Sequence, residues 1–499
     1  MRPVRYQPPG ATPPVSAPAR LRGREVDVDD RLLARLRSVC PDVSVDPADL
    51  TAGSRDWWPL AVHWAVTGTV AARPAAVARP RTSSEVAAVL AACHDARVPV
   101  TASAGRSGVC GGAVPLHGGV VLDLAALAGV VDVDRTSLVL DVRPGTFGDD
   151  LEQTLRADHG ATLGHWPQSM AISTVGGWLA CRSAGQLSTR YGKIEDMVVG
   201  LEVARADGRL VRTGGAPRAA VGPDLTQLFV GSEGTLGVIT EAWLRLHPAP
   251  TAERRGAWGF PSFAAGLDAC RRIRQRGATP AVLRLYDATE AARAHGVEDR
   301  HLLLVLDEGD PPLVDAVLQV VGEECAAAER LDDDLVEHWV AHRQDVPDLG
   351  TLADDGIVAD TVEVAGRWSV LPALYEDVRA AVDAVPHTLV VSAHQSHAYT
   401  DGACLYFTFA GQPPQAEGPS GREAYYVAAW DAATRAVLAH GGALSHHHGV
   451  GLNRGRFVAT ALGPAFAVLA TVKAALDPHG ILNPGKLGLP DPYGEVAWP

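Results

Sequence analysis

Cysteine is scarce in this chain and follows no pattern. The seven cysteines are Cys40, Cys93, Cys110, Cys181, Cys270, Cys325 and Cys404. Their number is odd and no CxxC occurs, which speaks against a disulfide framework and against a structural zinc site. Positive charge is also in short supply: 44 Lys and Arg stand against 58 Asp and Glu, a net charge of -14. That balance argues against nucleic acid or an anionic bilayer as partner. No uninterrupted apolar run reaches the roughly 18 residues of a spanning helix. The beginning lacks the apolar core of a secretory signal, and the closing EVAWP is no peroxisomal address. A cytoplasmic protein is expected, with any membrane association peripheral. No GxGxxG opens a helix after the first strand, so a Rossmann dinucleotide site is not supported.

What is present has globular composition, 47% hydrophobic and 20% charged over 499 residues, enough for two or three domains. An Ala, Arg and Pro bias hints at a bacterial source. Residues 1–25 form a Pro/Arg-rich arm expected to be flexible. Residues 26–75 carry a helical pattern, VDVDDRLLARLRSVC, and the paired tryptophans of RDWWP. From 76 to 250 strands and helices alternate; VARPRTSSEVAAVLAACHDARVPVTA reads as strand, helix and strand, with Thr82, Ser83 or Ser84 as cap. Residues 251–440 read as a separate α+β domain, and 441–499 as a histidine loop followed by a helix and a closing segment.

Three glycine-rich loops fall within the 76–250 block: ASAGRSGVCGG from Ala102, QSMAISTVGG from Gln168 and GSEGTLG from Gly231. Glycine lets backbone approach a ligand closely and presents successive N–H groups, which suits a pyrophosphate. Each loop taken alone is equally an ordinary turn. Taken in order with GGVVLDL, RYGKIEDMVVGLEV and GVITEA, they resemble the FAD-binding domain of the vanillyl-alcohol oxidase and p-cresol methylhydroxylase (PCMH-type) family. The resemblance implies an α+β fold, a two-subdomain FAD-binding domain followed by an α+β cap domain over the flavin. It places the pyrophosphate loop on Ala102, Ser103, Ala104, Gly105, Arg106, Ser107 and Gly108. Further FAD contacts would fall on Gln168, Ser169, Met170, Ala171, Ile172, Ser173 and Thr174, and on Cys181, Arg182, Ser183 and Ala184. A last group is Glu233, Gly234, Thr235, Leu236, Gly237, Val238 and Ile239. Relatives often carry PxGGGTS at the first loop; here Arg106 would add a cation near the phosphates. No histidine stands in that loop, so non-covalent FAD is expected, with Cys110 read as a small buried residue rather than a covalent link.

The second half narrows the resemblance. RLYD at Arg284–Asp287, DGACLYFTF and SHHHGVG resemble alkylglycerone-phosphate synthases, which exchange an acyl for an alkyl group in ether-lipid synthesis. The resemblance implies flavin-adduct and proton-abstraction chemistry on a carbonyl or ester substrate. It puts catalytic roles on Tyr406, His446, His447 and His448, and an anion-holding role on Arg284. Imidazole titrates near neutrality and suits the proton transfer. If the three histidines were extended, His446 and His448 would share a face and His447 would point away. One would then accept the proton while the others orient it or the substrate.

Three departures bear on this reading. His394 and His397 stand at short spacing, as in the HxGDGNLH metal site of related D-2-hydroxyacid dehydrogenases. The glutamate of their EHGIG is a histidine here and one imidazole is missing, so no metal is expected. Leu349 stands where the synthases carry a second arginine, with Arg343 or Arg367 as substitutes. The tail LDPHGILNPGKLG is closer to hydroxyacid oxidoreductases, and Lys486 in it is read as closing the domain. The alternative function is therefore an FAD-dependent oxidase or dehydrogenase of an alcohol or 2-hydroxyacid; a minor one is a non-catalytic flavin-binding protein. The expected partner is a small-molecule or lipid substrate, with a homodimer as candidate assembly.

Overall fold

In the computed structural model, residues 13–21, 23–345 and 349–496 are described. The strand–helix–strand read near residue 76 forms as Ala76–Ala78, Ser83–Ala96 and Val100–Ser103, and Thr82 is the cap, its side chain accepting from the N–H of Glu85. Val120–Asp123 runs parallel between the two strands, and Val43–Ser44 adds antiparallel at the edge. All of Val120–Asp123 is buried, which is why VVLD shows no polar alternation. A second, antiparallel sheet has the order Val130–Asp134, Val139–Val142, Val238–Arg245, Val198–Ala204 and Leu210–Gly214. The architecture is α+β.

The second half is built on a seven-stranded antiparallel sheet in the order Glu329–Leu331, Ala252–Phe260, His301–Gly309, Val282–Tyr286, Thr388–Ala398, Gly402–Gly411 and Val358–Arg367. Its strand HLLLVLDEG is apolar at consecutive positions because both sheet faces are covered. Leu303 and Val305 pack with the helices Phe263–Gln275 and Leu371–Asp383. Leu302, Leu304 and Leu306 pack with the FAD-binding half, beside Leu140, Trp178 and Leu244. Residues alternate between the two cores as the strand period requires.

The N-terminal arm differs from expectation. Within the arm, residues 1–12 and 22 lie outside the described residues, but 13–21 are held in place rather than flexible. Ala17 and Leu21 are buried, Leu21 and Arg20 take backbone bonds from their N–H groups to Ala71 and Val70, and Arg20 pairs with Glu423 at 2.6 Å. Two buried side chains and the backbone bonds to residues 70 and 71 hold this stretch despite its proline content. The 26–75 segment is divided between two cores: Leu32 and Leu36 join the first sheet, whereas Trp58, Leu60 and Trp64 join the cap. The tail forms the helix Ala465–Leu476 and returns to the first sheet, where Leu482 bridges Val100. Lys486 is fully buried and donates to the Val114 carbonyl at 2.8 Å, a closing role. Among the described residues no single helix is long and apolar enough to cross a membrane.

Candidate active site

The register of the seven-stranded sheet assembles the site. Tyr286 faces His394, His394 faces Tyr406, and Tyr406 faces Glu363 across four neighbouring strands. Directly opposed residues share a face, so these side chains form one row; Leu302, opposite Tyr286 at its end, packs against the FAD-binding half. Arg284 stands two residues along from Tyr286, on the same face. The His394 ring stacks on Tyr406 at 4.8 Å between centroids. Its Nδ1 lies 2.9 Å from Glu290, and its Nε2 lies 2.6 Å from the Arg284 guanidinium. Arginine has no acceptor, so His394 accepts at Nε2 and donates from Nδ1 to Glu290. It is a neutral imidazole that aims Arg284. The pairing slips between Gln395 and His397. That bulge re-aims His397, whose ring stacks on His446 at 4.8 Å.

The histidine loop is bent, not extended. The N–H groups of both His447 and His448 donate to one oxygen of Glu363, at 3.0 and 2.6 Å, and the Ser445 hydroxyl donates to the same oxygen at 2.6 Å. Successive N–H groups of an extended strand point to opposite sides, so the expected shared face of His446 and His448 does not arise. Two further N–H groups, of Val450 and Gly451, donate to Glu233 at 2.5 and 2.8 Å. Glu363 is fully buried; its second oxygen pairs with the buried guanidinium of Arg454, which lies over Trp430. Burial pushes the Glu363 carboxyl up, but the Arg454 guanidinium outweighs burial and holds it well below the usual carboxylate range.

As a result His446 and His447 face each other, Nδ1 to Nδ1 at 2.8 Å. His446 Nε2 lies 2.7 Å from the Tyr399 hydroxyl, and His397 Nδ1 lies 2.6 Å from Ser188 Oγ. The Tyr406 ring lies 6.1 Å from His447 and 5.6 Å from His448. Burial, then the neighbouring cations and imidazoles, holds His397, His446 and His447 well below the ordinary histidine value. His448 is lowered too, against the pull of Glu363. The rings are neutral at pH 7; both nitrogens of His446 are hydrogen-bonded, whereas His397 and His447 are bonded through Nδ1.

His394 is not available as a metal partner for His397, because Glu290 and Arg284 hold both of its ring nitrogens. Among the described residues, however, His397, His446 and His447 offer ligand atoms within 4.8 Å of one another. The expectation of no metal rested on a missing carboxylate and a missing imidazole; the cluster supplies imidazoles from His446 and His447 beside His397, but no carboxylate. Glu363, Arg454, Glu290, Tyr399 and Ser188 were not legible as site residues; each lies remote in sequence from its partner and in no motif.

The three loops fit a dinucleotide. They approach so closely that a Cβ on Gly105 would sit 2.2 Å from the Ile172 carbonyl oxygen, while Gly234 faces Ala102. Ser103 Oγ and Thr174 Oγ1, one in each of the first two loops, are buried polar atoms with no hydrogen-bond partner in the protein, a state that a bound polar ligand relieves. Several of the expected contact residues have other partners within the protein. Arg106 is paired with Asp123 at 2.8 Å, drawn to a carboxylate rather than left for phosphate. The side chains of Met170, Leu236, Val238 and Ile239 are core, so only their backbone can face a cofactor. Ser173 Oγ accepts from Trp178, Ser183 Oγ is bonded to His165, and the exposed Gln168 reaches the Asp345 carbonyl. Glu233 and Cys181 abut Gly449 of the histidine loop. Ala102, Ala104, Ser107, Gly108, Ser169, Ala171, Arg182, Ala184, Thr235 and Gly237 lie in or beside the same loops. Gly105→Ala is expected to force the first two loops apart. Overpacking of about 1–3 kcal/mol corresponds to FAD binding roughly 10- to 100-fold weaker, read from flavin released on dilution of the purified protein.

Residues 249–487 match a sequence family described as FAD linked oxidases, C-terminal domain, and residues 74–214 one described as FAD binding domain. The chain is similar to the uncharacterized FAD-linked oxidoreductase YgcU of Escherichia coli (strain K12), 31% identical over 431 residues, 83% of this chain and 89% of that protein. It is similar to the alkyldihydroxyacetonephosphate synthase of Dictyostelium discoideum, 30% over 462 residues, 84% and 74% of the two chains. Glycolate oxidase subunit GlcD of Bacillus subtilis is 27% identical over 440 residues, 85% and 91%. Among solved structures, an alkyldihydroxyacetonephosphate synthase superposes with TM-score 0.77 at 25% identity, over 94% and 88% of the chains. p-Cresol methylhydroxylase with substrate bound has the same fold, TM-score 0.76 at 18% identity, over 95% and 100%.

Proposed function

The chain belongs to the FAD-linked oxidase family with a PCMH-type FAD-binding half, and from that premise we propose that it exchanges an acyl for an alkyl group on an anionic carbonyl or ester substrate. It is an FAD-dependent enzyme. Bound FAD supplies an electron-accepting ring, held non-covalently in this reading by the loops at 102–108, 168–174 and 233–239. The observation that carries the proposal is the convergence of neutral imidazoles, Tyr406 and an aimed guanidinium on one sheet face. His447 is the proton acceptor for the hydrogen beside the substrate carbonyl; its depressed pKa keeps it unprotonated at neutral pH. Tyr406, beside both His447 and His448, orients the carbonyl. Arg284 holds the anionic group. Arg343 supports it: the Arg284 and Arg343 guanidiniums each lie 5.8 Å from the Trp339 ring centre.

A second reading, oxidation of an alcohol or 2-hydroxyacid, is favoured by one observation. Leu349, at the position of the synthases' second arginine, packs against Val62 and Ala65, so that part of an anion grip is apolar here. The FAD-loaded protein is to be given acyl-dihydroxyacetone phosphate and a labelled fatty alcohol, and separately glycolate without oxygen. Incorporation of label without bleaching of the flavin is the expected result. Bleaching by glycolate with no incorporation would replace the exchange reading by the oxidative one.

A further inference from the structure

The tail that closes the FAD-binding half carries a buried amide with its donor side used and its acceptor side open. Asn483 is 2% exposed and sits at φ +43°, a left-handed conformation that asparagine tolerates. Its backbone N–H donates to the Val100 carbonyl at 2.8 Å. Its side-chain Nδ2 donates to the Gly112 carbonyl at 3.0 Å and to the Glu233 carbonyl at 2.7 Å. Gly112 ends the first glycine-rich loop and Glu233 belongs to the third. One side chain thus joins two loops that lie 371 and 250 residues before it. Lys473 supports the same place: its buried Nζ donates to the Thr235 carbonyl of the third loop and to the Leu482 carbonyl, both at 2.8 Å.

An amide nitrogen has two hydrogens, and here both are used. The two carbonyls also decide which amide atom faces them, because turning the group over would set its oxygen against two others. Oδ1 is therefore fixed on the other side, buried and without a partner in the protein. A buried acceptor left unmet is costly, so this oxygen marks a place for a ligand donor. The position of Glu233 fixes the end of the cofactor concerned. Its carboxylate accepts the N–H groups of Val450 and Gly451 in the histidine loop. In the proposed function the histidines act beside the flavin ring, so Asn483 stands at the ring end and not the adenine end. The oxidised ring has a single donor, N3–H. A ribityl hydroxyl both donates and accepts and would be served by either amide atom. N3–H needs a pure acceptor, which is what the doubly used Nδ2 leaves.

We infer that Asn483 is an FAD-contacting residue, its Nδ2 clamping the first and third loops and its Oδ1 accepting from N3–H of the flavin ring. The inference rests on the proposed function only for which end of FAD lies by the histidine loop.

The test is a competition on the purified holoprotein, incubated with equal excesses of FAD and of FAD methylated at N3, after which the bound flavins are separated and weighed. The parent is expected to prefer FAD by about 10- to 100-fold, the effect of leaving a buried acceptor unmet. Asn483→Gly, which suits the positive φ, is expected to bind both flavins more weakly and to lower that preference to about threefold or less. Exchange of the N3 proton with water, followed by NMR of FAD labelled with heavy nitrogen, should be slow in the parent and faster in the variant. A clamp that never touches the cofactor would weaken both flavins equally and keep the preference. That result, equal binding of the two flavins by the parent, or a rapidly exchanging N3 proton in the parent would overturn the assignment. The parent's preference and its N3 exchange decide the matter even if Asn483→Gly does not fold. Neither arm reads turnover, so a failed acyl-for-alkyl exchange would strike the proposed function and leave this contact standing.

Discussion

Glu363→Ala is expected to destabilise the FAD-loaded protein by about 3–5 kcal/mol, the usual cost of leaving one partner of a buried ion pair behind. Arg454 is 1% exposed and Glu363 is 0%, so neither charge has water to fall back on. The same change leaves the N–H groups of His447 and His448 without their acceptor, and the histidine loop should lose its bend. Denaturant unfolding of the holo protein is the measurement. The double variant Glu363→Ala with Arg454→Met should recover much of the loss, since removing both charges is milder than removing one. Glu363→Gln should fall between, because it keeps the acceptor for the amides and loses only the charge. Equal stability of parent and Glu363→Ala would show that the pair does not hold the loop. The pH dependence has a definite sign. The folded pKa of Glu363 lies below its reference value of 4.5, so its contribution is complete above that value and fades as pH falls toward the folded one.

His447→Asn should lower kcat for the exchange by about 100- to 10,000-fold, the range for loss of a positioned general base. The asparagine amide can occupy the place of Nδ1 and keep the bond to His446, whereas Nε2 disappears. FAD content and KM should therefore hold while turnover falls. Deuterium exchange at the substrate carbon beside the carbonyl, followed without the alcohol, isolates the step: the parent should exchange and the variant should not. Tyr406→Phe should cost less and raise KM, because it orients the carbonyl without accepting the proton. If His447→Asn exchanges deuterium at the parent rate, another group is the base.

Much of this was legible in the residues. The order of glycine loops between short strands pointed to an FAD-binding half, and three successive histidines with LYFTF pointed to a site in the second half. Local patterns determine such features, because glycine conformations, caps and strand alternation act over a few residues. The sequence did not show that Arg106 would turn to Asp123, or that Pro-rich residues 13–21 would pack, since both outcomes depend on distant partners. Nor did it show whether the three successive histidines are extended or bent. Tertiary structure decided that point. Glu363 lies 84 residues from His447 along the chain, and its carboxylate gathers two consecutive N–H groups and bends the loop. A one-residue bulge turned His397 into the same space, and Ser188 arrived from the other half of the molecule. Hydrogen-bond demand in a buried, desolvated setting must be met by whatever group the fold brings near, and that pairing has no period to read along the chain.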